Sequence, residues 1–158
     1  MKICVLSDTH IPRRAGWIPK IVTEAAKKAD LIIHAGDIVD EEVLDYLKEL
    51  APIHAVLGNM DPPELNLPRK QVVEIYGFKI GIVHGDGWGG STVERAYKTF
   101  SEELDCIVFG HSHQAYQRYH GNTLMFNPGS PTDRRRSPKH SFGMLEIDQQ
   151  IKASIIYF

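Results

Sequence analysis

The chain has 158 residues, with 18 Lys and Arg against 20 Asp and Glu, two Cys and eight His. That length suits one folded domain spanning 1–158, and a net charge of −2 offers no bulk attraction for long nucleic acid or an anionic membrane surface. No apolar run approaches the ~20 residues that span a bilayer.

The opening Met1-Lys2-Ile3-Cys4-Val5-Leu6 runs into Asp8 and His10 too soon for a secretory leader. Cys4 and Cys106 sit inside apolar runs and read as buried free thiols of a reducing compartment, so a cytoplasmic location is expected.

Residues 2–7 form an apolar run of the kind a fully buried strand shows. From Trp17 to Ala29, Ile18, Ile21, Val22, Ala25, Ala26 and Ala29 recur at helical spacing, with Pro19 in the first turn and Lys27-Lys28 in the last. Leu31-Ile32-Ile33-His34 is a second strand. Asp40 caps a helix with Glu41 and Glu42 in its first turn and Val43, Leu44, Leu47 and Leu50 on its apolar face. Pro52–Leu57 is a third strand, and this β-α-β-α-β order predicts parallel pairing with helices packed on a sheet.

Residues 61–70, with Pro62, Pro63 and Pro68, read as loop. Gln71–Tyr76 and Phe78–Val83 form a hairpin about Gly77, and Ser91-Thr92-Val93-Glu94 is a capping box before a helix reaching about Glu103. Cys106–Phe109 is a short buried strand. Tyr116–His120 and Thr123–Phe126 pair around Gly121-Asn122, residues 127–138 are loop, and Phe142–Ile147 with Ile151–Phe158 make a last hairpin. An α/β beginning followed by β-rich segments predicts a four-layer α-β-β-α sandwich of two mixed sheets flanked by helices.

Five polar clusters follow predicted strands immediately: Asp8-Thr9-His10, Gly36-Asp37, Gly58-Asn59-Met60-Asp61, His84-Gly85-Asp86 and Gly110-His111-Ser112-His113. Ligands of open α/β sheets bind beyond the carboxyl ends of the strands, where side chains are firmly held. Two carboxylates, an amide oxygen and four imidazoles suit borderline divalent ions such as Mn²⁺, Fe²⁺, Zn²⁺ or Ni²⁺ better than Ca²⁺ or Mg²⁺. They are too many for one tetrahedral ion and about right for two that share a ligand.

The order D-x-H, G-D-x-x-D, G-N-x-D, H-G and G-H-x-H resembles that of the calcineurin-like metallophosphoesterases, over nearly the whole chain. The short length and the Asn127-Pro128-Gly129-Ser130 turn look most like the small single-domain YfcE-like phosphodiesterases. The resemblance implies the metallo-dependent phosphatase fold and two divalent transition-metal ions per chain, Mn²⁺ preferred. Asp8, His10 and His113 would bind the first ion, Asp37 would bridge, and Asn59, His84 and His111 would bind the second. A hydroxide shared by the ions would attack the phosphorus of a small phosphodiester, with Asn59 and His111 also contacting the phosphate. A homo-oligomer is compatible with this reading; a membrane is not.

One position departs from the family's phosphatases, which carry a histidine in the middle of G-N-x-D to protonate the leaving group. Here it is Met60. Asp61, Asp86 or a water would have to take that part, so phosphodiesters with good leaving groups are expected to turn over best. The retromer subunit of the same fold also lacks this histidine and works as a binding module, so a protein-interaction scaffold is the alternative.

Arg13 and Arg14 follow the D-x-H loop closely enough to reach a phosphate, Arg13 foremost. The run Arg134-Arg135-Arg136 reads as a solvated face. His34 reads as buried beneath the site, His54, His120 and His140 as surface residues, Trp88 as an anchor packed on the sheet, and Gly58 and Gly110 as strained turns aiming their neighbours.

Overall fold

Alternation along the first strand sets the layering. In β1 (Lys2–Leu6), Ile3 and Val5 turn to one face and Cys4 and Leu6 to the other, and all are buried. A strand buried on both faces must be covered on both. The computed structural model, which describes residues 1–158, shows what covers it.

After β1 come α1 (Lys20–Ala26), β2 (Leu31–His34), α2 (Glu41–Leu50), β3 (Ile53–Ala55) and a 3₁₀ turn at Pro63–Leu65. Then follow β4 (Lys70–Ile75), β5 (Phe78–Val83), α3 (Thr92–Lys98), β6 (Cys106–Val108), β7 (Tyr116–His120), β8 (Thr123–Asn127), β9 (Ser141–Ile147) and β10 (Ile151–Tyr157). One sheet runs β10-β9-β1-β2-β3, the other β4-β5-β6-β8-β7. β1, β2 and β3 pair in parallel, while β9 and β10 add antiparallel strands at the other edge, so the sheet is mixed. The second sheet is mixed too, with β5, β6 and β8 parallel between antiparallel edges.

Three apolar layers separate the four structural ones. Ile3, Val5 and Ile33 meet Ile80, Ile82, Val108 and Phe126 between the sheets. Cys4, Leu6 and Ile32 on the outer face of the first sheet meet Val22 and Ala26 of α1 and Val43, Leu44 and Leu47 of α2. Ile107 and Met125 on the outer face of the second meet Ala96 of α3 and Leu104. This is the four-layer α/β sandwich the residue pattern predicts.

Helix ends differ from expectation. Asp40 caps α2 through Glu42 N–H at 2.8 Å, and Ser91 and Glu94 form the reciprocal capping box of α3. Yet α3 stops at Lys98, short of Glu103, with Thr99 at its cap and Phe100 and Leu104 packed on the second sheet. α1 begins only at Lys20, with Pro19 in the cap position rather than the first turn.

Candidate metal centre

The parallel strands β1, β2, β5 and β6 all end at one edge, and each releases a polar residue there. Asp8, His10, Asp37, His111 and His113 all have φ between 45° and 65°, in the left-handed region. Such backbone costs ~1–3 kcal/mol per residue and persists only where the surroundings enforce it. Here they do: Asp8 N–H donates to Gly36 O and His10 N–H to Asp37 O, both at 3.0 Å, and the Ser130 hydroxyl donates to Asp8 O at 2.7 Å.

Gly58 and Gly110 have a different part from the expected strained turns, since neither has positive φ. They permit close approach. A Cβ on Gly58 would collide with Asp37 Oδ1, and one on Gly110 would collide with Ser7 Oγ and lie 2.7 Å from Asp8 Oδ2.

The donor atoms converge on one buried space. Asp37 Oδ2 lies 3.4 Å from His10 Nε2 and 3.2 Å from His84 Nε2. Asp8 Oδ1 lies 3.3 Å from His113 Nε2, with His10 Nε2 at 3.8 Å and His84 Nε2 at 3.9 Å. Both carboxylates therefore face both sides of the space. Asp8, His10 and His113 form one potential ligand group, and Asp8, Asp37 and His84 another, with donor atoms within 4.8 Å of one another in each. On the outer side, Asn59 Oδ1 and His111 Nδ1 are 3.1 Å apart, and the rings of His84 and His111 meet edge-on at 5.2 Å.

The residues present fit divalent transition ions on three grounds. Asp8 Oδ1 and His84 Nε2 are buried without a hydrogen-bond partner, which is costly unless a cation serves them. His84 Nδ1–H donates to Ala35 O at 2.7 Å and His113 Nδ1–H to Asp133 O, which turns each Nε2 lone pair inward as ligation requires. The mixed imidazole and carboxylate set suits borderline ions.

Without a cation, burial and the two carboxylates tune the cluster. Burial would lower the His84 pKa, but the Asp37 carboxylate 3.2 Å from its Nε2 and the Asp8 charge raise it to about 9. Burial alone would push Asp37 up, and His84 and the Met60 N–H outweigh this and hold it at about 2. Burial lowers both His10 and His111.

Around this space the structure assigns other residues different work. The Asp61 carboxylate accepts N–H groups from Asp37 at 2.8 Å, Val39 at 2.7 Å and Gly58 at 2.7 Å. It therefore anchors two loops, in addition to standing with Asp86 or a water as a candidate proton donor. His34 is wholly buried, touching Thr9 Oγ1 at 3.2 Å and accepting from Gly36 N–H, and burial lowers its pKa to about 3. Trp88 is not packed on the sheet; it is fully exposed in a glycine-rich loop. His54 is half-buried beside Gln71, and His140 half-buried against Phe158, whereas His120 is exposed against Tyr97. Arg13 and exposed Met60 line a cavity next to His10. Asp133 escaped the sequence reading because it ligates nothing through its own spacing; only the Asn127–Ser130 turn hinted that this loop returns to the site.

Comparison with known proteins agrees with this geometry. The model of the calcineurin-like phosphoesterase superfamily domain matches residues 1–150. A probable metallophosphoesterase of Methanocaldococcus jannaschii is 41% identical over 158 residues, covering 99% of this chain and 81% of its own. Another, from Methanothermobacter thermautotrophicus, is 39% identical over 159 residues, covering 99% of this chain and 92% of its own. Among solved structures, wild-type Vps29 of Entamoeba histolytica complexed with zinc superposes with a TM-score of 0.78 at 26% identity, over 99% of each chain.

Proposed function

The chain belongs to the calcineurin-like phosphoesterase superfamily, and on that premise we propose that it is a single-domain phosphodiesterase acting on a small substrate with two divalent ions, Mn²⁺ foremost. The reading rests above all on the unpartnered Asp8 Oδ1 and His84 Nε2, buried within reach of Asp37 Oδ2. Asp8, His10 and His113 would hold one ion, Asn59, His84 and His111 the other, and Asp37 would be shared. When bound, such ions supply Lewis acidity that ionises a shared water and neutralises charge developing on phosphoryl oxygens.

The chain's own residues do the remainder. Ala35 O and Asp133 O keep the imidazoles of His84 and His113 in the ligating tautomer. Asp61 fixes the loops that carry Asp37 and Asn59, so positions are set before substrate arrives. Asn59, at the exposed side of the cluster, is placed to donate from its amide to a phosphate oxygen, while His111 turns Nδ1 to Asn59 Oδ1 and keeps Nε2 for an ion. Met60 can give no proton, so esters whose leaving group needs none are preferred.

No helix is long and apolar enough to cross a membrane, and two buried free thiols accord with a reducing cytoplasm. A protein-interaction scaffold is the second reading, favoured by Met60 and by the likeness to Vps29. Hydrolysis of bis(p-nitrophenyl) phosphate by the Mn²⁺-loaded chain and its Asp37→Asn variant separates the two. The expected result is activity lost by ~10²-fold or more in the variant; equal background from both proteins would leave the scaffold.

A further inference from the structure

Beside His10 lies a cavity of about 200 Å³ lined by His10, Arg13, Arg14, Met60, Asp133 and Arg135. Its walls carry three guanidinium groups and one carboxylate, so the cavity is cationic by two charges even before any metal is bound next door. Asp133 organises it. Its Oδ2 lies 3.5 Å from Arg14 Nε and 3.8 Å from Arg135 Nε. The Asp133 side chain is only 14% exposed, whereas those of Arg14 and Arg135 are 65% and 51% exposed. The Nε edges of two exposed arginines thus lie nearest a recessed carboxylate whose Oδ2 has no hydrogen-bond partner. Arg135 has φ of 45°, in the left-handed region. The run Arg134–Arg136 is exposed throughout, as expected, and Arg135 also borders the cavity.

The same Asp133 binds the cavity to the chemistry, because its carbonyl accepts from His113 Nδ1–H and its N–H donates to Ser130 Oγ at 2.8 Å, the hydroxyl that donates to Asp8 O. Cradle and candidate ligands therefore share one frame. Forked guanidinium donors recognise phosphate oxygens in pairs, and a surplus of two positive charges matches a phosphate monoester dianion better than a carboxylate.

We infer that the Arg13–Arg14–Arg135 cavity holds a second, terminal phosphoryl group of the substrate, so that the preferred ester carries a phosphomonoester on the His10 side of the scissile phosphate. This rests on the phosphodiesterase reading of the centre, but its test does not need turnover. Thymidine 3′,5′-bisphosphate and thymidine 5′-monophosphate are titrated calorimetrically into the Mn²⁺-loaded chain and into an Arg14→Ala/Arg135→Ala variant, both substitutions being at exposed side chains. The parent should bind the bisphosphate at least tenfold more tightly, and the variant should lose that preference while keeping its affinity for the monophosphate. Equal affinity for both ligands in the parent, binding of neither, or a preference that survives in the variant would overturn the inference. Failure to hydrolyse bis(p-nitrophenyl) phosphate, with the binding preference intact, would count against the phosphodiesterase reading alone.

Discussion

His84 Nε2 stands 3.2 Å from Asp37 Oδ2, whose charge favours a proton on the buried imidazole. The His84 pKa lies above its ordinary 6.5, at about 9, so the stability it contributes to the metal-free fold is complete below pH 6.5 and is lost as pH rises through about 9. A metal ion must displace that proton. Apparent Mn²⁺ affinity is therefore expected to rise with pH between 7 and 9, by up to about tenfold per unit for one proton released. Competition titrations at fixed ionic strength check this; affinity flat across that window would contradict it.

His34 has the opposite sign. Its pKa is lowered from 6.5 to about 3 by burial, so its contribution is complete above pH 6.5 and falls away as pH drops toward about 3. The metal-free chain should lose stability between pH 6 and 4 more steeply than a His34→Gln variant, by up to about 1.4 kcal/mol per pH unit. Denaturant melts at several pH values measure this difference; parallel curves would show that His34 is not the acid-sensitive group.

Asp61 is expected to matter for folding of the loops rather than for proton transfer. Asp61→Asn removes a charged acceptor from three N–H donors and should cost about 2–4 kcal/mol, lowering turnover of all substrates alike. A variant as stable as the parent that fails only on poor leaving groups would restore the proton-donor role.

Met60 gives a gain-of-function test. It is 41% exposed and lines the cavity next to His10. Met60→His should raise turnover of alkyl phosphodiesters, whose leaving groups need a proton, by ~10-fold or more while leaving p-nitrophenyl esters little changed. Equal gains on both ester types would point to a binding effect instead.

The sheets were legible in the sequence because buried strands such as Leu31–His34 and Phe78–Val83 are short apolar runs ended by polar residues, and the polar residues mark the site edge. What spacing could not show is which backbone groups hold that edge. Asp133 reaches His113 through a carbonyl and lies near two arginines through a carboxylate across a loop, and Asp61 grips three amides from two loops. Neither pattern has a period. Trp88 misled for a similar reason: an aromatic residue in a glycine-rich stretch looks like an anchor, and only the fold shows that nothing lies beneath it. The end of α3 was missed because Phe100 and Leu104 pack on the second sheet, a tertiary contact that no periodicity records.

The central claim is that Asp37 joins two ions in one centre. Electron paramagnetic resonance of the Mn²⁺-reconstituted chain, with the metal content counted in the same sample, tests it most directly. The expected result is close to two ions per chain with the spectrum of an exchange-coupled pair, collapsing in Asp37→Asn to signals of isolated ions. A six-line spectrum of a single isolated Mn²⁺ in the parent, or no bound metal at all, would contradict it.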